Sequence, residues 1–418
     1  MRILYVGGDN PAVDAILSGM NTDSLGGLPA FYYPFRILLE RGHEIDLLLY
    51  TPEEKTVTES RYFHKDNLIQ VRPGKGRLPL SLEYFLQMSA AARRVLKERH
   101  YDFVYGMSEG AHLAVREAAK RGIPCGLRQF GTQEMANVLE KEGSLFLRRL
   151  KALRDYTYIT LSMISPKTFV LATNDGSRAD ELYALLGIGK KKFSFFFWRS
   201  GVYIPPERPM PCPGDPADYP ASYDPMALSM IGRVADVKRQ DRAVRILGEL
   251  HRRGRPFHLY LIGTVASERM YQAALEAADA CGVRDYVHFV GGKSQKECRM
   301  YARNSLATLL PCEWNRLNIF YEAMGEGALV LTNDNHSVDE FIRDGENCLV
   351  YDEDDFSQAA EKLMAISGDS ALMERIREGA HETARKSFLS LEKRFGMEAD
   401  LVEAAAAGKD MDRFPPVL

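Results

Sequence analysis

Apolar positions along the chain follow two alternating rhythms. Short continuous runs, RILYV, HEIDLLLY, YDFVYG and IPCGLRQFG, are separated by longer stretches such as AFYYPFRILLERG and HLAVREAAKRG. In the longer stretches apolar residues recur every three or four positions, the period of a helix with one buried face. The short runs are apolar on both faces, as strands of a parallel sheet covered by helices must be. RGHEI and RGIPC share one grammar: a basic helix end, a glycine cap, then a strand.

Near residue 201 the rhythm stops. YIPPERPMPCPGDPADYPASYDP is too proline-rich for a helix or a central strand. Beyond it the alternation resumes with ALSMIG, AVRILGELHRRG, HLYLIG, YQAALEAADACG, YVHFVGG and LATLLP. From Phe388 a last helical tail begins. The pattern predicts an α/β chain with two doubly wound domains, 1–200 and 226–387. A Pro-rich connection, 201–225, joins them, and the tail is 388–418.

Length agrees, since 418 residues exceed one ordinary core. A net charge of −3 removes any bulk electrostatic case for nucleic acid. None of the six cysteines forms a C-x-x-C pair, so a reduced, cytoplasmic protein without structural zinc is expected. The N-terminal stretch MRILYVGGDN has no signal-peptide pattern, and no run of about 18 apolar residues marks a membrane span.

Ligands of open α/β sheets bind beyond the carboxyl ends of strands, so the strand-to-helix turns carry the chemistry. Gly26 and Gly27 precede a helix and let backbone N–H groups approach an anion. Glycine pairs there are also plain turn chemistry. Arg233 follows Gly232 at a strand end, and Lys238 lies five residues on. Two cations from one loop suit a diphosphate, Arg as a fork and Lys as a point charge; the bland alternative is a solvated surface. Gly263 and the pair Gly291–Gly292 end strands and leave room for a flat ring or for close helix packing. In CEWNRLNIFYEAMGEG, Asn318 is the expected N-cap, with Glu322 in the first turn of the helix. A carboxylate there can accept both hydroxyls of a ribose, and Glu313 can reach the same crevice from the strand end.

In this order the segments resemble family-4 retaining glycosyltransferases of the GT-B fold over nearly the whole chain. IGRVADVKRQD is similar to the family's donor-binding loop. FYEAMGEGALVLTNDNHSVDEFIRDGENCLVY is similar to its EAM segment and the stretch C-terminal to it. GGLPAFYYPFRILLERGHEI is similar to its N-terminal glycine loop and first helix. The resemblance implies two Rossmann-like domains facing each other across a cleft, with the final helix crossing back to the first. It implies transfer of a sugar from a nucleoside diphosphate sugar to an acceptor with retention, and no cofactor or metal. Arg233 and Lys238 would neutralise the leaving diphosphate, and Glu322 would hold the ribose. Glu313 would contact the sugar, and the backbone of Leu317 and Asn318 would meet sugar and phosphate. Gly26 and Gly27 would close on the diphosphate, and the segment from Gly291 to Lys293 would line the base.

Three positions depart from the family. Glu313 and Glu322 are one residue further apart than the family's pair. Phe130 stands where the family often has His near the reacting carbon. Ser200–Gly201 replaces the usual Asn-Gly. These motivate an alternative: a catalytically weak sugar-nucleotide-binding protein or partner subunit. An NAD-linked oxidoreductase is disfavoured because VGGDNPAVDA lacks the G-x-G-x-x-G spacing; a sugar-nucleotide epimerase of the same fold is a further alternative. Arg128, Gln129 and Thr132, at a strand end, are the acceptor-side candidates. The acceptor itself, a small molecule, glycan or lipid-linked sugar, is not encoded in any motif, nor are the base, the sugar and the oligomeric state. The acidic run Asp352–Asp355 has the spelling of a metal site in an expected loop or helix start. SLFLRRLKALRDY and GKKKFSFFFWRS mix basic and apolar residues. A basic helix face and a buried strand are the plain explanation. Peripheral contact with the inner face of the membrane is the alternative.

Overall fold

The computed structural model describes residues 1–20, 29–60, 63–73, 80–189, 193–313, 318–335 and 340–418. The chain forms two compact units, Met1–Ser200 with Glu392–Leu418, and Gly201–Leu391. The Pro-rich stretch therefore belongs to the second unit, and the returning tail begins at Glu392.

The first unit holds a seven-stranded sheet among the described residues. Its strands are β1 (Arg2–Gly8), β2 (Glu44–Tyr50), β3 (Leu68–Val71), β4 (Phe103–Met107), β5 (Cys125–Gln129), β6 (Phe169–Thr173) and β7 (Ser194–Trp198). Every pairing is parallel, in the order β3-β2-β1-β4-β5-β6-β7. The second unit holds β8 (Asp224–Ile231), β9 (His258–Ile262), β10 (Val287–Gly291), β11 (Ser305–Leu310), β12 (Val330–Asp334) and β13 (Leu349–Asp352). These are also parallel, in the order β10-β9-β8-β11-β12-β13. The strand order reverses between β1 and β4 and again between β8 and β11. Each reversal opens a crevice above the carboxyl ends, because the connections on its two sides lead to opposite faces of the sheet.

The glycine caps anticipated after basic helix ends are present. Gly42, Gly122 and Gly254 take φ of 83°, 70° and 73°. The following N–H groups of His43, Ile123 and Arg255 return to the carbonyls of Leu38, Ala118 and Leu250 at 3.1, 3.1 and 3.0 Å. The helix stops because a left-handed residue turns the next N–H back onto an orphan carbonyl. Among the described residues, no helix is long and apolar enough to cross a membrane.

The C-terminal helix, Leu391–Ala406, docks into the first unit through a buried charge. Glu398 is fully buried. Its carboxylate pairs with Arg128, accepts from Arg394 at 3.1 Å and takes the Tyr105 hydroxyl at 2.6 Å. Arg394 also donates to the Arg199 carbonyl at 2.7 Å and lies over the Trp198 ring. Burial pulls its guanidinium down to about 10, still cationic at neutral pH. The last residues add to the outer edge of β7. Phe197 and Arg199 donate to Pro416 and Leu418 at 2.8 Å each, and the Trp198 indole donates to Pro415 at 2.6 Å. A strand edge that would otherwise pair with another chain is thereby closed.

Glu398→Ala would leave Arg128 and Arg394 buried without their counter-charge. The first unit should lose about 3–5 kcal/mol, read as an earlier urea transition for that unit. Glu392→Ala, which removes an exposed pair with Arg36, should change little.

Candidate donor site at the carboxyl ends of the second sheet

The reversal between β8 and β11 gathers several of the candidate residues. Ile231, Ile262, Leu310, Cys312 and Phe320 form one buried cluster beneath it. The ends of three strands and the start of the helix Asn318–Gly325 therefore converge on common packing.

Above this cluster the backbone is unusually close. Gly232 and Gly263 have φ of 147° and 154°, which side-chain-bearing residues rarely adopt. Gly232 N–H donates to the Ile262 carbonyl and Gly263 N–H to the Gly291 carbonyl, both at 2.8 Å. A Cβ on Gly263 would stand 2.1 Å from the Gly232 oxygen, so only glycine fits. Gly292 follows, exposed, with Thr264 3.0 Å from where its Cβ would be.

The Lys238 stem lies across Gly232: a Cβ there would be 3.5 Å from Lys238 Cε and 4.0 Å from Nζ. Its loop is clamped on three sides. Val234 N–H donates to Thr264 at 2.9 Å, and the Gln240 side chain donates to the Arg233 carbonyl at 3.1 Å. Glu313 N–H donates to the Val237 carbonyl at 3.2 Å. Burial pushes the Cys312 thiol up, and the neighbouring Lys238 and Arg242 oppose that shift. The structure thus brings Gly232, Lys238, Gly263 and Glu313 to one strand-end crevice. Arg233 is exposed on the same loop, and its guanidinium forms no ion pair among the described residues. Arg239, next to Lys238, is instead held by a fork to Asp241 at 3.0 and 2.9 Å. Arg233 is therefore a cation whose hydrogen-bonding capacity is open to a ligand, as a phosphate site requires.

Glu322 is the fifth residue of its helix, near the boundary between the first and second turns. Asn318 is the first described residue of that helix. Burial pushes the Glu322 carboxyl up to about 7; Arg299 opposes and Glu326 adds to the shift. Glu326 is itself buried and pairs with Arg299 at 3.4 Å and Arg303 at 3.5 Å. Arg299 also lies 4.2 Å over the Tyr203 ring. These partners escaped the sequence reading, because Arg299 and Tyr203 lie in no recognisable pattern and meet only in space. Gly26, Gly27 and Leu317 lie outside the described residues.

In the first unit, Arg128, Gln129 and Thr132 are all buried. Arg128 serves Glu398, Gln129 accepts from the Tyr183 hydroxyl at 3.2 Å, and Thr132 donates to the Ser177 carbonyl at 2.7 Å. Phe130 lies half-buried with its ring facing Arg128. The strand-order reversal of this sheet presents a different pair, Ser108 and Glu109, just after β4. Ser108 holds φ 74° and ψ 172° without being glycine, a conformation that costs about 1–3 kcal/mol. Its N–H donates to the Arg128 carbonyl at 2.9 Å, and half-buried Glu109 follows. No motif pointed there; the signal is backbone strain, which a sequence does not display.

The acidic run is occupied by structural tasks. Glu353 and Asp354 pair with Arg242 at 3.0 and 3.2 Å, and Asp355 caps the helix Phe356–Gly368.

Residues 216–383 match the family model described as glycosyl transferases group 1. Similar solved structures span the whole chain. Sucrose-phosphate synthase from Thermosynechococcus elongatus matches with a TM-score of 0.71 at 15% identity, covering 98% of this chain and 100% of that one. WaaG, a glycosyltransferase involved in lipopolysaccharide biosynthesis, gives 0.61 at 18% identity over 96% and 99%. Anabaena HepE in complex with UDP-glucose gives 0.62 at 13% identity over 96% and 99%. No curated protein matches the chain in sequence.

This geometry has two measurable consequences. Gly263→Ala forces a Cβ into the Gly232 carbonyl, so the second unit should lose about 2–3 kcal/mol in denaturant titration. A ligand whose hydroxyls hydrogen-bond to ionised Glu322 favours the deprotonated carboxylate. Below about pH 7 the free protein holds a proton that such a ligand must displace, and above it none. Calorimetric affinity for UDP should therefore fall more steeply below about pH 7 in the native chain than in Glu322→Gln. Parallel pH profiles would show that Glu322 does not face the nucleotide.

Proposed function

With residues 216–383 belonging to the glycosyl transferases group 1 family, whose members are retaining nucleotide-sugar enzymes, and with the GT-B fold throughout, we propose how this chain divides the work. Arg233 and Lys238 bind the donor's diphosphate and neutralise the charge that appears on it as the glycosidic C–O bond breaks. Glu322 accepts the ribose hydroxyls, and Glu313 orients the sugar from the end of β11. The glycine turns at Gly263 and Gly291–Gly292 admit the base against bare backbone. The backbone at Leu317 and Asn318 and the glycines Gly26 and Gly27 complete the donor contacts, and the acceptor hydroxyl is recognised by the first unit. Configuration is retained, and no residue is assigned as a covalent nucleophile.

The observation that carries this proposal is the pairing of an ion-pair-free Arg233 with Lys238 over a glycine floor. A diphosphate needs two fixed cations and close backbone, and a neutral substrate needs neither. The HepE structures hold UDP, glucose and UDP-glucose, so uridine diphosphate sugars are the first donors to try. Phe130, in a place where the family often carries His, supports a second reading in which the chain binds a sugar nucleotide and turns it over weakly.

A panel of nucleotide sugars should reveal one donor from which the purified protein releases nucleotide. Arg233→Ala and Lys238→Ala should each lower that rate by about 10²–10³, and Glu322→Ala should chiefly weaken donor binding. Tight nucleotide binding with no release would favour the binding-protein reading. Neither release nor binding would sink both.

A further inference from the structure

The helix Leu145–Asp155 of the first unit presents an apolar face to water. Ser144 caps it, accepting from Leu147 N–H at 3.2 Å. One side holds it to the unit: Ala152 is fully buried, and Arg149 donates to the Leu186 carbonyl at 2.9 Å. Facing away are Phe146, 73% exposed, Leu150, 56%, and Leu153, 46%. At the α-helical repeat these three fall within about 60° of one another. Leu145 and Leu147 flank them, also exposed. This one helix carries five of the thirteen exposed large apolar side chains among the described residues. Singly scattered exposed leucines are ordinary, but a row of this kind is not.

The charge around the row points to one occupant. Residues 141–156 contain Lys141, Arg148, Arg149, Lys151 and Arg154 against Glu142 and Asp155, five minus two, or +3, on a chain whose total is −3. Lys151 and Arg154 are paired, with Glu142 and Asp155, at 2.6 Å each. Arg148 and Arg149 donate instead to the neutral carbonyls of Glu142 and Leu186, so their positive charge stands. Two copies meeting through this face would set like charge against like charge. An anionic lipid surface accepts both the apolar row and the basic border.

We infer that this helix is a membrane-surface anchor. It would lie in the headgroup layer of an anionic bilayer, with Phe146, Leu150 and Leu153 in the acyl boundary. The inference is independent of the donor chemistry.

The test is co-sedimentation of the full chain with vesicles of phosphatidylcholine alone and of phosphatidylcholine mixed with phosphatidylglycerol. The native protein should sediment with the mixed vesicles and be partly released by salt. The triple variant Phe146→Ser, Leu150→Ser, Leu153→Ser should bind at least about tenfold more weakly. All three positions face water, so its thermal midpoint should match the native one. No binding by the native chain, or equal binding by the variant, would overturn the inference. So would sedimentation velocity showing a native dimer that the variant loses, without vesicle binding; the face would then belong to a second copy.

Discussion

A full negative charge sits where water cannot reach it, on Glu398, and the first unit is organised around that fact. A buried carboxylate is tolerated only when cations and donors surround it. Tyr105 comes from the central strand β4, Arg128 from its neighbour β5, and Arg394 from the same helix one turn earlier. The contact joins residues 270 positions apart. It commits the last helix to this unit, which lets Pro415–Leu418 seal the edge of β7. Arg128, expected on the acceptor side from its place at a strand end, is thus also the residue that draws the C-terminus home.

The second unit rests on a different constraint, the approach of two backbones. The Gly232 carbonyl and Gly263 are too close for a side chain between them, and this flattens the floor over which Lys238 lies. Cations placed over a bare backbone floor suit a diphosphate, and this floor lies within the residues 216–383 that match the glycosyl transferases group 1 model. Glu322 adds a proton-linked element, because burial holds its carboxyl near neutrality. A ligand contact there would couple occupancy to pH over the physiological range.

Much of this was legible in one dimension. Parallel strands buried on both faces read as unbroken apolar runs, so most of the strands were visible as such. The strands β3 and β13 span only four residues each. At that length no period can be measured, whereas FSFFFW read as a buried strand and forms β7. The loop that carries Gly232, Arg233 and Lys238 was visible as a candidate because its glycine and cations are local in sequence.

By itself the sequence determined the class of fold, the two doubly wound sheets, the glycine-capped helices and the strand-end loop that carries Gly232, Arg233 and Lys238. All of these rest on interactions between near neighbours or on the two periods of regular structure. The partnership of Glu398 with Arg128, the strained Ser108 beside Glu109, the Arg299–Glu326–Arg303 cluster behind Glu322 and the outward face of the helix Leu145–Asp155 were decided only in three dimensions. Each depends on which distant side chain arrives to share a charge, or on which face of a helix finds nothing to pack against. No local pattern encodes that.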